Sequence, residues 1–292
     1  MKLTIVTINY NNAEGLRKSL ASVASQTYKS IEHIIVDAAS TDGSVDVIRE
    51  YAQKVESREP RVKRVIWTSE PDCGIYDGMN KGIRKATGSY VQILNSGDIL
   101  AAPDVTERMM YAIEDCEYPA ILYGNMIRDF GNGKLSRDLA KCKKLNSKEM
   151  LHAEEVEWTM HDFIKGTVNH DPTYIRRDLY EKYGLYDENL KICSDWKWFV
   201  NAVVFGEEKL YYVPIDVTIF DTTGISETNL TFREQERHAE LEKVLPAAIL
   251  KDYDTWHFSI NQLKRLQKYH LWGLVYFMER VLFKLEKWRI LR

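Results

Sequence analysis

The sequence predicts an α/β fold built on a mostly parallel sheet flanked by helices. Two observations carry that prediction. Over the first hundred residues, short β-branched apolar runs alternate with segments of helical periodicity. Each apolar run also ends in a polar turn, the pattern expected when parallel strands share one functional edge.

The elements follow in order. Leu3 to Ile8 reads as a first buried strand, followed by the turn Asn9-Tyr10-Asn11-Asn12. Asn12 is placed to cap a helix through Leu16, Leu20, Val23 and Ala24. Ile31 to Val36 is a second strand ending at Asp37, and a helix with Val47, Ile48, Tyr51 and Val55 on one face follows it. Val62 to Trp67 is a third strand, 76–86 a helix, and Tyr90 to Leu94 a strand running into Asn95-Ser96-Gly97-Asp98. Asn9, Asp37, Asp72 and Asp98 are therefore expected on one edge of the sheet.

Beyond Asp98 the pattern changes. A helix is expected over 104–117, then a strand from Ala120 to Phe130 with a hairpin signal at Gly131-Asn132-Gly133. Further helices are expected at Ser147 to Glu157 and at Arg177 to Tyr183, the second stopped by Gly184. Ser194 is placed to cap a helix from Asp195 to Val204. Leu210 to Val213 and Val217 to Phe220 read as two strands, and Thr231 to Val244 as a charged helix. No linker interrupts the chain before about residue 245, so the expected organisation is a main domain over 1–245 and a helical extension over 246–292. Residues 1–100 and 101–245 would be the two halves of that main domain.

Composition narrows the function classes. Hydrophobic residues at 45% and charged residues at 28% are those of a soluble globular chain. The net charge of −3 argues against a general nucleic-acid partner. The charge is uneven: residues 264–292 hold eight Lys or Arg and two Glu, a net of +6, which leaves −9 on the rest. Cys73, Cys116, Cys142 and Cys193 lack metal-ligand or redox spacing, and the chain opens directly on a strand. A cytoplasmic location in a reducing compartment is the expectation, with peripheral contact at the inner face of the cell membrane as an extension of it.

Five blocks, in this order, resemble a known family. They are Thr7-Ile8-Asn9-Tyr10-Asn11, Asp37 to Ser44, Asp72 to Ile83, Leu94-Asn95-Ser96-Gly97-Asp98 and Ser194-Asp195-Trp196. The chain is similar, over about residues 1–230, to family 2 glycosyltransferases with the Rossmann-like GT-A fold, in the bacterial branch that builds surface polysaccharides. The resemblance implies inverting transfer of a sugar from a nucleotide-diphosphate donor, most often UDP-linked, to a saccharide or lipid-linked saccharide.

It also implies roles, with residues 1–100 as the nucleotide-binding half and 101–245 as the acceptor-binding half of the main domain. Asp37 would hydrogen-bond the base, with Thr7, Asn9 and Asn11 along the nucleoside and Ser40 and Asp42 in the loop beside it. Ser40 and Asp42 read equally well as turn and cap residues. Asp72, Asp77, Asn80 and Lys81 would face the ribose and diphosphate, with Gly74 allowing close backbone approach. Asp77 and Lys81 are four apart, so a plain salt bridge is the other reading. Asp98 is the implied ligand of a divalent cation, Mg or Mn, that offsets charge on the leaving diphosphate. Asn95, Ser96 and Gly97 stand where the family more often has carboxylates, which puts more weight on Asp98 and on the diphosphate itself. His170, in Asn169-His170-Asp171-Pro172, is a candidate diphosphate contact or second ligand, or a structural histidine. Asp195 matches the family's catalytic base, and it also suits the first turn of a helix.

Leu271, Leu274, Met278, Val281, Leu285 and Trp288 recur at helical spacing among the basic residues of 264–292. Such a segment suits an anionic membrane surface, or packing on protein. Two rival functions stand beside transfer. A nucleotidyltransferase would need a basic glycine-rich loop after the first strand, and residues 9–15 hold no basic side chain. A sugar-nucleotide-binding scaffold without catalysis would suit the carboxylate-poor turn ending at Asp98.

Overall fold

The computed structural model describes residues 1–57, 62–131, 134–138, 152–253, 277, 278, 280 and 282. The chain divides into two compact units, Met1–Arg237 and His238–Arg292. In the second unit the described residues include the helical segment 247–253. The basic stretch 264–292 and Cys142 lie almost wholly or wholly outside the described residues.

The first unit is organised on a ten-stranded sheet. Its N-terminal half holds β1 (Leu3–Asn9), β2 (Ile31–Asp37), β3 (Val62–Ser69) and β4 (Tyr90–Ile93), in the order β3-β2-β1-β4 and all parallel. Asn9 pairs with Asp37 and Asp37 with Ser69, so the polar strand ends come to one edge. The other half holds β5 (Ile99–Leu100), β6 (Ile121–Asp129), β7 (Leu135–Asp138), β8 (Glu154–Val156), β9 (Thr173–Arg176) and β10 (Leu210–Asp221). β9 lies antiparallel between β4 and β6, and β10 runs parallel to β6. The two halves thus join through one short antiparallel strand.

Helices cover both faces. α1 (Ala13–Ala24) and α2 (Ser44–Glu56) bury Leu16, Leu20, Val47, Ile48 and Tyr51 against Ile35. α3 (Ile75–Lys85) lies close on β1 because it carries glycine where it crosses the strand. A Cβ on Gly82 would sit 2.2 Å from Val6 Cγ1, and one on Gly78 would sit 3.5 Å from Ile8 Cγ2. α4 (Val105–Asp115) fills the space against the second half with Met109, Met110 and Ile113. α5 (Met160–Lys165), α6 (Asp178–Tyr183), α7 (Ser194–Phe199), α8 (Ile225–Thr228) and α9 (Leu230–Val244) complete the set.

Several expectations need correction. Glu154–Val156, expected as the end of a helix, is the strand β8, and 147–151 lie outside the described residues. Its pairing with Leu210 to Tyr212 overrides a weak helical pattern. The two strands expected around 210–220 are one, β10, with register shifts between Tyr212 and Thr218. Pro214 removes a ladder donor there, which explains why the strand reads as two. Cys193, not Ser194, precedes the first turn of α7, and the Ser194 hydroxyl is buried without a hydrogen-bond partner. The expected helix to Val204 changes at Val200 into a π-helical turn, Val200–Phe205. The hairpin signal at 131–133 is matched by antiparallel pairing of β6 with β7, although 132 and 133 themselves are not described.

Candidate active site

Along the strand ends, Asp37 is the hub of the first loop pair. Asn9 Nδ2 donates to its Oδ1 at 2.7 Å and the Ser40 hydroxyl does so at 2.6 Å. Its Oδ2 accepts from the Ser40 N–H at 3.0 Å and from the Ser69 hydroxyl at 2.6 Å. Those four bonds use the acceptor positions of one carboxylate, and the residue is fully buried. Asp37 therefore ties three loops together at the edge of the sheet.

The neighbours of Asp37 behave in the same way. The Asn11 N–H donates to Ser40 Oγ at 2.8 Å, and Asn11 Oδ1 accepts from the Thr41 N–H at 2.8 Å. Asp42 accepts from the N–H of Ala13 and from the N–H and hydroxyl of Ser44, so it caps two helices. The Ser44 hydroxyl holds the Asp42 carboxyl below the usual carboxylate range. Thr7 is buried, with its hydroxyl 3.0 Å from His33 Nε2. Burial holds His33 down to about 3, so its ring is neutral.

The loop into α3 is built from short-range bonds. Asp72 Oδ1 accepts from the Gly74 N–H at 3.1 Å, and burial raises the Asp72 carboxyl above its ordinary value. Gly74 has φ of 135°, a conformation that favours glycine. Asp77 accepts from the Cys73 N–H at 2.9 Å and pairs with Lys81 Nζ at 3.2 Å, while Lys81 also donates to the Pro71 carbonyl at 2.9 Å. The salt-bridge reading of Asp77 and Lys81 is thus realised. Asn80 is buried, and its amide donates to the Tyr186 carbonyl and Glu188 and accepts from the Tyr186 N–H.

The Asn95–Asp98 turn is held from α1. Ser19 Oγ accepts from the Gly97 N–H at 3.0 Å, and Asn12 Nδ2 donates to the Ser96 carbonyl at 3.1 Å. Asp98 Oδ1 accepts from the Asp221 N–H at 2.8 Å, while Oδ2 is buried without a hydrogen-bond partner. Burial, reinforced by the neighbouring Asp171, pushes the Asp98 carboxyl well above its ordinary range.

Next to this turn lies a chain of titratable groups. His170 Nε2 is 3.3 Å from Asp171 Oδ1 and 3.2 Å from the Asn95 amide. Its Nδ1–H donates to Asp195 Oδ2 at 2.9 Å, and the Tyr76 hydroxyl is 3.0 Å from Asp195 Oδ1. Burial opposes charge on His170, but the carboxylates of Asp171 and Asp195 outweigh it and lift the imidazole to about 9. Burial likewise opposes charge on Asp195, and the His170 hydrogen bond and charge overcome it, so this carboxyl lies below its usual range. An ionised carboxylate is thus held next to the strand-end turn, with its side chain 13% exposed.

The structure therefore gathers Asn95, Asp98, His170 and Asp195 into one cluster, and gathers Asn9, Asn11, Asp37, Ser40 and Asp42 at the adjoining loops. It leaves Thr7 and Asn80 outside both. Three members of the cluster were missed. Asp171 adjoins His170 in sequence and could have been read with it. Tyr76 looks like core, and Asp221 lies in a strand end of the second half. Both indole rings at Trp196 and Trp198 are buried, donating to the carbonyls of Phe163 and Gly184.

The Glycosyl transferase family 2 profile matches residues 4–184. The chain belongs to glycosyl transferase family 2. An uncharacterized glycosyltransferase of Mycobacterium tuberculosis is 28% identical over 254 residues, covering 84% of this chain and 85% of the relative. A glycosyltransferase of Mycobacterium bovis, named for PGL/p-HBAD biosynthesis, is 26% identical over 199 residues, 68% of each chain. Among solved structures, S. aureus TarS 1-349 in complex with UDP is similar with a TM-score of 0.60 and 18% identity, over 89% of this chain and 72% of that one. The mannosyltransferase PcManGT from Pyrobaculum calidifontis, in complex with GDP-Man and Mn2+, has a TM-score of 0.60 and 15% identity, over 84% of this chain and 65% of that one. The chain spans 61% of the TarS fragment solved with UDP-GlcNAc. These likenesses give the family 2 enzyme a GT-A fold.

Among the described residues, no group of three His, Cys, Asp or Glu side chains is arranged to hold a metal ion, and no helix is long and apolar enough to cross a membrane. The orphaned Oδ2 of Asp98 is nevertheless a hard oxygen donor at the strand-end turn. Such a donor fits Mg or Mn, which commonly take one or two carboxylates and complete their shell with phosphate and water.

Proposed function

We propose that this family 2 enzyme is an inverting glycosyltransferase that moves a sugar from a UDP-sugar to a saccharide or lipid-linked saccharide acceptor. The observation that carries the reading is the Tyr76–Asp195–His170 constellation next to the turn bearing Asp98. In this reading the acceptor hydroxyl oxygen attacks the anomeric carbon while the bond to the diphosphate oxygen breaks. The electron pair of that bond leaves on the diphosphate, and the hydroxyl proton passes to the Asp195 carboxylate. His170 and Tyr76 keep Asp195 ionised and oriented, which is what a general base requires before the reaction.

Asp98 would hold a divalent cation together with the diphosphate, and the cation would offset charge on the leaving group. The loops at Asn9 to Asn11 and Ser40 to Asp42 would border the nucleoside, and the Asp72–Gly74 backbone would approach the ribose or diphosphate. A UDP-bound structural relative supports a uridine donor, and a Mn2+-bound one supports the cation. The mycobacterial relative named for PGL/p-HBAD biosynthesis supports a biosynthetic transfer, and the motif blocks support an acceptor in cell-surface polysaccharide synthesis. The basic stretch 264–292 would suit a lipid-linked acceptor at a membrane surface.

The test is a panel of nucleotide sugars with Mn2+ or Mg2+, read by release of nucleoside diphosphate. Release from one or more UDP-sugars, stimulated by the cation, is the expected result. Donor binding without any release would favour a binding scaffold instead, and pyrophosphate release from UTP would point to a nucleotidyltransferase.

A further inference from the structure

Asp195 stands in the first turn of α7, and the segment that leads into a helix start has no intrahelical bonds to hold it. The segment that delivers it, Lys191 to Cys193, is held from two other elements. Glu236, in α9, accepts from three successive backbone N–H groups: Lys191 at 2.6 Å, Ile192 at 2.8 Å and Cys193 at 2.9 Å. From the other side, the Tyr76 hydroxyl of α3 lies 2.5 Å from the Ile192 carbonyl and 3.0 Å from Asp195 Oδ1. Ile192 is therefore gripped through its N–H by α9 and through its carbonyl by α3.

The next residue of α9 tightens the same region. Arg237 stacks over the Trp196 ring, 5.4 Å from its centroid, and the Trp196 indole donates to the Phe163 carbonyl. A carboxylate bound by three N–H groups is a strong and directional anchor, since each bond is charge-assisted. The stretch 230–244 reads in the sequence only as a charged helix, and nothing in its pattern marks Glu236.

We propose that Glu236 is a positioning residue for the transfer reaction. It sets the Lys191–Cys193 segment, and through that segment it sets where the Asp195 carboxylate stands relative to the donor. The proposal rests on the reading of Asp195 as the base. A misplacement of about 1 Å in a reacting constellation costs about a hundredfold in rate. Glu236→Ala leaves three N–H groups unanchored, and Glu236→Gln keeps an acceptor oxygen but loses the charge.

The test uses the full chain, with the UDP-sugar that the wild-type protein hydrolyses and with UDP alone as the binding probe. Turnover in Glu236→Ala should fall by about a hundredfold while Kd for UDP changes by less than about twofold. Glu236→Gln should lose about tenfold, and it carries the test if the Ala variant does not fold. Hydrogen exchange at the amides of 191–193 should speed up in both variants. In an Asp195→Asn background, Glu236→Ala should add less than about threefold, because the two act as one unit.

Unchanged turnover in the folded Glu236 variants would overturn the proposal, and so would losses that multiply fully in the double variant. Loss of turnover with unchanged exchange at 191–193 would overturn it as well. Full turnover in Asp195→Asn alone is a different failure, that of the base assignment, and it is read without any change at Glu236.

Discussion

Replacing Asp195 by Asn tests the base assignment with little change of shape. The carboxylate accepts from His170 at 2.9 Å and from Tyr76 at 3.0 Å. An amide can accept from His170 at its oxygen, while its NH2 donates to the Tyr76 oxygen, whose own proton then goes to the Ile192 carbonyl at 2.5 Å. The remaining cost is the loss of one partner of a buried ion pair, at most about 3–5 kcal/mol. Set against about 5–15 kcal/mol of total stability, the variant should still fold. Turnover should fall by about 10²–10⁴, the contribution of a positioned base, or about 2.7–5.4 kcal/mol in the barrier.

Calorimetry with UDP should give an unchanged Kd, because a base in the proposed role would face the acceptor hydroxyl. NMR titration adds a reading independent of activity. The His170 ring, lifted to about 9 by two carboxylates, should titrate at lower pH once Asp195 is neutral. Turnover within about threefold of wild type in the folded variant would refute the assignment. A parallel loss of UDP affinity would make Asp195 a donor contact instead.

Four further outcomes are expected. Glu32 is buried, and its bonds to Thr87 and Thr4 overcome the effect of burial and lower its carboxyl pKa. Its stabilisation is therefore present above the unfolded value of about 4.3 and is lost as pH falls through the folded one. The gap in urea midpoint between wild type and Glu32→Gln should hold from neutral pH to about pH 5 and close below it. Asn80→Ala, which strands the Tyr186 backbone, should cost about 2–4 kcal/mol in denaturant unfolding and leave Kd for UDP unchanged. Asp98→Asn removes a carboxylate whose burial disfavours its charge, so melting temperature at pH 8 should rise while Mn2+ stimulation of UDP binding is lost. Flotation with anionic liposomes should be stronger for the full chain than for residues 1–262; equal flotation would remove the tail as a membrane contact.

Much of this protein was legible from period and punctuation. The runs at Leu3, Ile31, Val62 and Tyr90 are apolar on both faces because both are covered, and such runs mark parallel strands without any tertiary knowledge. β9 was not legible, since four residues after Pro172 carry too little pattern, and its place depends on β4 and β6 meeting it. Glycines 78 and 82 were legible as a motif but not as packing, which only the distance to Val6 and Ile8 explains.

The sequence by itself determined the α/β class, the shared edge of the strand ends and the family, because these follow from local periodicity and from blocks in a fixed order. It also brought Asn95, Asp98, His170 and Asp195 forward as candidates. Only the tertiary structure decided what each polar side chain does. Asp37 is enclosed by donors from three loops, Asn80 clamps a backbone more than a hundred residues away, and Glu236 grips the segment before Asp195. The physical reason is that a side chain's role depends on which lone pairs remain free once long-range partners have taken theirs, and those partners are distant along the chain.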